Sequence, residues 1–144
     1  MSIVKTGSAI YKSLGKKGEA SVSTETPALN ELPYGFTSRF EGGKGTNPEE
    51  LLAAAHAACF TMALSFALEG EGYKEGDLHT DVSIYLDEDG DGFKISRSKL
   101  SLTANVKAID EKEFDRIAHE TKLGCPVSKL FNADIELEYT LNAA

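Results

Sequence analysis

The segment LLAAAHAACFTMALSFAL, residues 51–68, is what most limits the folds open to this chain. It passes without one Asp, Glu, Lys or Arg and is apolar on nearly every side, so a helix built from it must be enclosed rather than laid on a surface. The start signal is strong. Asn47 or Thr46 can cap the helix, Pro48 suits its first position, and Glu49 and Glu50 favour the positive end of its dipole. Gly70 stops it, and the pattern predicts a helix over 48–69. In length it approaches a membrane span. It is built on Ala rather than Leu or Ile, contains His56, Thr61 and Ser65, and follows directly on two carboxylates, which fits a soluble core and not a membrane.

A chain of 144 residues has material for one core, so residues 1–144 are expected to form a single domain. A helix apolar on all faces needs more cover than one modest sheet supplies, so the chain calls for a partner. With 15 Lys and Arg against 23 Asp and Glu, the net charge is −8 and the cations are not clustered. That balance repels a phosphate backbone or an anionic membrane surface, so neither nucleic acid nor membrane is an expected partner. The opening MSIVKTGSAIYKSLGKK has no signal-peptide run, and a cytoplasmic location is expected. In that compartment two cysteines far apart in sequence are buried structural thiols or redox-active thiols more often than a standing disulfide.

Residues 3–41 mix Val, Ile, Tyr, Thr and Phe with Gly and Pro breaks, which predicts several short antiparallel strands. Residues 42–47, GGKGTN, read as a flexible loop. Residues 78–86 and 92–107 alternate apolar and polar side chains and form a hairpin across the acidic turn DEDGDG. Asp110 caps a second helix with Phe114, Ile117, Ala118 and Thr121 on one face, ended by Gly124. Cys125-Pro126 starts a short third helix, and Ile135, Leu137, Tyr139 and Leu141 alternate as an edge strand. The class is α+β.

The acidic turn matches the start of a calcium loop at Asp87, Asp89, Asp91 and Gly92, but the twelfth position is Ser98 and the flanks are strands, so a hairpin turn is the reading. His56 and Cys59 share a helix face, yet two ligands do not make a metal site, and His79 and His119 add no ligand spacing. A Cys–His pair for acyl transfer is a weak reading, since neighbours on one helix face point outward side by side and need a third orienting group. Cys59 lies inside an apolar helix, where burial raises a thiol's pKa and a nearby cation reverses that. Cys125 stands at a helix start, where free N–H groups favour a thiolate. One thiol for attack and one for resolution is chemically sound, as is a pair of inert buried thiols.

Residues 34–64, YGFTSRFEGGKGTNPEELLAAAHAACFTMAL, together with GCPVSKLF at 124–131, resemble the OsmC/Ohr family of thiol-dependent hydroperoxidases, the OsmC branch above all. The likeness runs along nearly the whole chain, with VSTET at 22–26 and the final strand included. It implies an OsmC-like fold in which antiparallel sheets wrap long central helices in an intertwined homodimer, with a site at each end of the interface. By position the family's reactive cysteine falls on Cys59, its second cysteine on Cys125, its activating arginine on Arg39 and the glutamate that holds that arginine on Glu49.

The implied reaction reduces organic hydroperoxides through a Cys59 sulfenic acid and a Cys59–Cys125 disulfide, reset by an external dithiol of lipoyl type, with no cofactor or metal, in defence against oxidative and osmotic stress. Phe36, Phe60 and Met62 are apolar candidates beside the site. Ten residues of one helix put Glu49 and Cys59 about 15 Å apart, so Arg39 is expected to meet them from different subunits or through movement of its glycine-rich loop. The rival readings are a stress-induced carrier of a small hydrophobic ligand, its thiols incidental, and a thiol-based acyl hydrolase.

Overall fold

The computed structural model describes residues 1–143. They group into two compact units that divide between Leu51 and Leu52. In the first, β1 (Gly7–Lys12), β2 (Glu19–Thr24) and β3 (Leu32–Tyr34) form an antiparallel sheet in that order, followed by α1 (Phe36–Phe40). The strands appear where the Gly and Pro breaks predict them, but residues 36–40 are helical rather than strand. Gly35 interrupts β3, and the Ser38 hydroxyl folds back to accept from the Gly35 N–H at 2.9 Å and to donate to the Gly35 carbonyl at 3.0 Å. A local bond of this kind gives the backbone an alternative to the ladder, and five residues are too few to show a helical period.

Helix α2 (Pro48–Gly70) runs from the end of the first unit through the second, which also contains β4 (Gly76–Asp89), β5 (Gly92–Val106), α3 (Glu111–Gly124), α4 (Pro126–Leu130) and β6 (Asp134–Asn142). Asn47, not Thr46, caps α2, its side-chain oxygen accepting from the Glu50 N–H at 2.8 Å. Asp110 caps α3 through the Lys112 N–H. The β4–β5 hairpin closes on Gly90 and Asp91, with Asp89 opposite Gly92 and Gly90 at φ 61°, so the acidic stretch is a tight turn. Strand β6 is an edge strand, as its alternation predicts, but it pairs with β5 in parallel. The second sheet is therefore mixed. Helices α3 and α4 carry the chain back to the end from which β5 started, the long crossover that a parallel pair requires.

The core of the second unit forms where two periods meet. His56, Phe60, Leu64 and Leu68, four apart on α2, are its buried stripe. Leu100, Leu102, Ala104 and Val106, two apart on β5, Phe114, Ile117 and Ala118 of α3, and Ile109 and Cys125 pack in the same cluster. On the opposite stripe of α2, Met62 is 58% and Phe66 66% exposed.

Candidate active site

The four residues that the sequence marks fall into two contacting pairs, one in each unit. In the first, Arg39 lies in the last turn of α1 and Glu49 in the first turn of α2. Arg39 Nε donates to both carboxylate oxygens of Glu49 at 3.1 Å, and Nη2 donates to Oε1 at 2.6 Å. This forked grip fixes the guanidinium plane as well as its charge. The carboxylate is largely buried at 12% exposure, and the arginine side chain is half open at 37%.

Several bonds hold the two ends in register. Ser38 Oγ lies 2.7 Å from the Thr46 carbonyl, Asn47 Nδ2 donates to the Ser38 carbonyl at 3.0 Å, and the Thr46 N–H donates to the Pro33 carbonyl at 2.9 Å. Gly45 makes that approach possible: its φ is 107°, and a Cβ there would lie 2.5 Å from the Pro33 oxygen. The segment read as a flexible loop is thus pinned on both sides. Beside Arg39 opens a hollow of about 320 Å³ lined by Tyr11, Gly15, Lys16, Tyr34, Gly35, Phe36, Phe40 and Pro48. Lys16 Nζ stands over the Phe36 ring at 4.8 Å, and the Arg39 guanidinium over the Phe40 ring at 5.2 Å.

In the second unit Cys59 and Cys125 are both free thiols, with Sγ atoms 3.0 Å apart. A disulfide measures about 2.05 Å, so a shift of roughly 1 Å closes the bond. Cys59 is half-buried on α2, and Cys125 is 1% exposed at the N-cap of α4. Burial pushes the Cys59 thiol above its ordinary pKa, the hydrogen bond it shares with Cys125 and the charge of that neighbour push the same way, and only the backbone N–H of Val127 pulls it down. Among the described residues of this unit, no other group favours the thiolate.

His56, three residues before Cys59, is fully buried. Its Nδ1 lies 2.7 Å from Ser98 Oγ of β5, its Nε2 lies 2.8 Å from Ser128 Oγ of α4, and the Phe131 ring meets it edge-on at 5.1 Å. Burial holds its pKa below the ordinary value. Both ring nitrogens are engaged by hydroxyls, so the imidazole is not free to act as a base on Cys59. The sequence singles out His56 but not its partners, which lie 42 and 72 residues away. Of the apolar candidates, Phe36 lines the hollow, Phe60 is fully buried in the core and Met62 is exposed.

Comparison with known proteins gives a consistent result. Residues 41–140 match the family model described as OsmC-like protein. The chain is 46% identical to Peroxiredoxin OsmC of Escherichia coli strain K12 over 143 residues, covering 99% of this chain and 100% of that protein. It is 36% identical over 101 residues to the organic hydroperoxide resistance protein OhrB of Bacillus subtilis strain 168, covering 68% of this chain and 72% of that one. The crystal structure of B. subtilis OhrB superposes with a TM-score of 0.69 at 27% identity, covering 94% of this chain and 98% of that one. The residues, the fold and these similarities together establish that the chain belongs to the OsmC family.

Proposed function

We propose that the chain reduces organic hydroperoxides to alcohols, with Cys59 as the attacking thiolate and Cys125 as the resolving thiol. It is a peroxiredoxin-like hydroperoxide reductase of stress defence, in line with its similarity to Peroxiredoxin OsmC and to organic hydroperoxide resistance proteins. The observation that carries the thiol roles is the 3.0 Å separation of the two sulfurs, one on a half-buried helix face and the other buried behind it.

In the first step the Cys59 thiolate attacks a peroxide oxygen. The O–O bond breaks, the alkoxide takes a proton and leaves as alcohol, and Cys59 becomes a sulfenic acid. Cys125 then attacks the Cys59 sulfur opposite the S–O bond, and the departing oxygen takes a proton and leaves as water. An external dithiol reopens the disulfide by two exchanges, and a lipoyl-type reductant fits this role. In a reducing cytoplasm both thiols return to the resting state.

The pKa of Cys59 is raised by its own surroundings, so a cation must be brought to it. Arg39 is the proposed source. Its charge favours the thiolate and stabilises the negative oxygen that develops as the O–O bond breaks, and Glu49 keeps the guanidinium oriented. Arginine and cysteine meet in a homodimer or through movement of the arginine's segment, and the aromatic hollow beside Arg39 takes the organic part of the substrate.

Turnover of cumene hydroperoxide with dihydrolipoamide as sole reductant tests the reading. Sustained consumption, faster than with an equal concentration of glutathione, is expected. Consumption no faster than that of free cysteine would overturn it.

A further inference from the structure

The second unit places two matched pairs of side chains against each other. His56 and Cys59 are three apart on α2 and share one face, as do Ser128 and Cys125 on the segment of α4. His56 meets Ser128 at 2.8 Å and Cys59 meets Cys125 at 3.0 Å, like two rungs between the same uprights. Within α4 only Ser128 is buried, and its N-cap Cys125 is buried too, whereas Pro126, Lys129 and Leu130 are exposed. Its apolar anchorage is one side chain, Val127, partly buried against the core, with Phe131 at its C-cap against the His56 ring. On the other upright, His56 is held from behind by Ser98 of β5 at 2.7 Å, and its ring is buried on all sides.

We infer that His56 and Ser128 are positioning residues for the resolving step: their hydrogen bond locks α4 against α2 and so holds the Cys125 sulfur within reach of Cys59. Neither residue touches the peroxide. Once Cys59 carries an oxygen, the contact between the sulfurs is remade at a new angle, and the His56–Ser128 bond keeps α4 docked through that change. Cys125 Sγ forms the new S–S bond, the Cys59 S–O bond breaks, and the oxygen leaves as water with the thiol's proton. When closure lags, a second peroxide converts the sulfenic acid to a sulfinic acid, so the lock also decides how far Cys59 over-oxidises. The inference rests on the proposed assignment of Cys125 as the resolving thiol.

Single-turnover mixing of the reduced protein with tert-butyl hydroperoxide, with intact mass read at intervals, separates peroxide consumption from disulfide closure. In Ser128→Ala, closure is expected to slow about five-fold relative to consumption, the weight of one hydrogen bond, with sulfinic Cys59 accumulating. Two changes at His56 sharpen the test. Glutamine places its amide nitrogen near the position of Nε2 and keeps the rung to Ser128, whereas asparagine places it near Nδ1 and reaches only Ser98. His56→Gln is therefore expected to close faster than His56→Asn.

Equal slowing of both steps in Ser128→Ala, or equal closure in the two His56 variants, would overturn the inference. A glutathione redox buffer gives a readout that needs no peroxide, since glutathione disulfide is reduced to two thiols as Cys59 and Cys125 are oxidised. There Ser128→Ala is expected to lower the equilibrium constant for the protein disulfide about five-fold. An unchanged constant would sink the lock even if the chain proved not to reduce peroxides, and slow peroxide consumption by the wild type with a lowered constant would sink the peroxidase reading alone.

Discussion

At Cys59 the balance of local effects runs against a nucleophile: burial and the neighbouring thiol raise its pKa, and one backbone N–H opposes them. The proposed arginine must outweigh both. Replacing Arg39 with glutamine is expected to move the thiolate absorbance near 240 nm to higher pH than in the wild type and to slow peroxide consumption about 10²-fold. Arg39→Lys should restore only part, because an ammonium cannot reproduce the forked grip on Glu49. Identical thiolate titrations in wild type and Arg39→Gln would show that the charge acts elsewhere.

His56 gives a second prediction of definite sign. Its folded-state pKa is depressed, so as pH falls below the ordinary 6.5 the unfolded chain takes up a proton that the folded chain refuses. Stability is then full above that value and declines as pH falls toward the folded pKa. Urea midpoints should fall between about pH 7 and pH 5, and His56→Gln should flatten part of that slope. The sequence marked Cys59, Cys125, Arg39 and Glu49 through family resemblance, and it marked His56 through its place in an apolar helix. It gave no sign that Ser98 and Ser128 would meet His56, because a buried hydroxyl is recognisable only by the partner that tertiary structure brings to it.

Helix α2 shows what local chemistry settles and what it leaves open. Its start at Pro48 and its stop at Gly70 are written in the sequence, and of the two caps the sequence offers, Asn47 and Thr46, the structure uses Asn47. Which stripe faces inward was not legible, since apolar residues surround it. The sheet chooses that stripe by seating Phe60, Leu64 and Leu68 against β5 and α3. Leu64→Ala, at a fully buried position, should lower unfolding free energy by about 2–5 kcal/mol in urea denaturation. A loss below 1 kcal/mol, on the order of an exposed substitution, would mean that the stripe is not the core. Alternation likewise predicted β6 as a strand, but alternation specifies faces and not direction, so its parallel pairing was hidden. Helix α1 was missed because a single turn closed by Ser38 has no period to read.

Across the whole chain, large apolar side chains lie open in several elements: Met62 and Phe66 on α2, Leu123 at 70% on α3 and Leu130 at 72% on α4. Met62 and Phe66, four apart on one face of α2, give that face an apolar surface that fits the proposed homodimer. Sedimentation velocity of the wild type should give twice the chain mass at micromolar concentration. The Met62→Glu, Phe66→Glu double variant should sediment as a monomer. A wild-type monomer would remove the proposed meeting of Arg39 and Cys59 across subunits and leave movement of the arginine's segment as the route.

The central claim is a division of labour between two thiols, and rapid mixing of the fully reduced protein with cumene hydroperoxide, with intact mass read at the end, tests it most directly. The wild type is predicted to lose two hydrogens as the Cys59–Cys125 disulfide forms. Cys59→Ser should consume no peroxide beyond the uncatalysed rate, and Cys125→Ser should gain one oxygen as a trapped sulfenic acid. Undiminished consumption by Cys59→Ser, or a wild type that reacts only as fast as a free thiol and forms no disulfide, would contradict the account and favour a ligand carrier whose thiols are incidental.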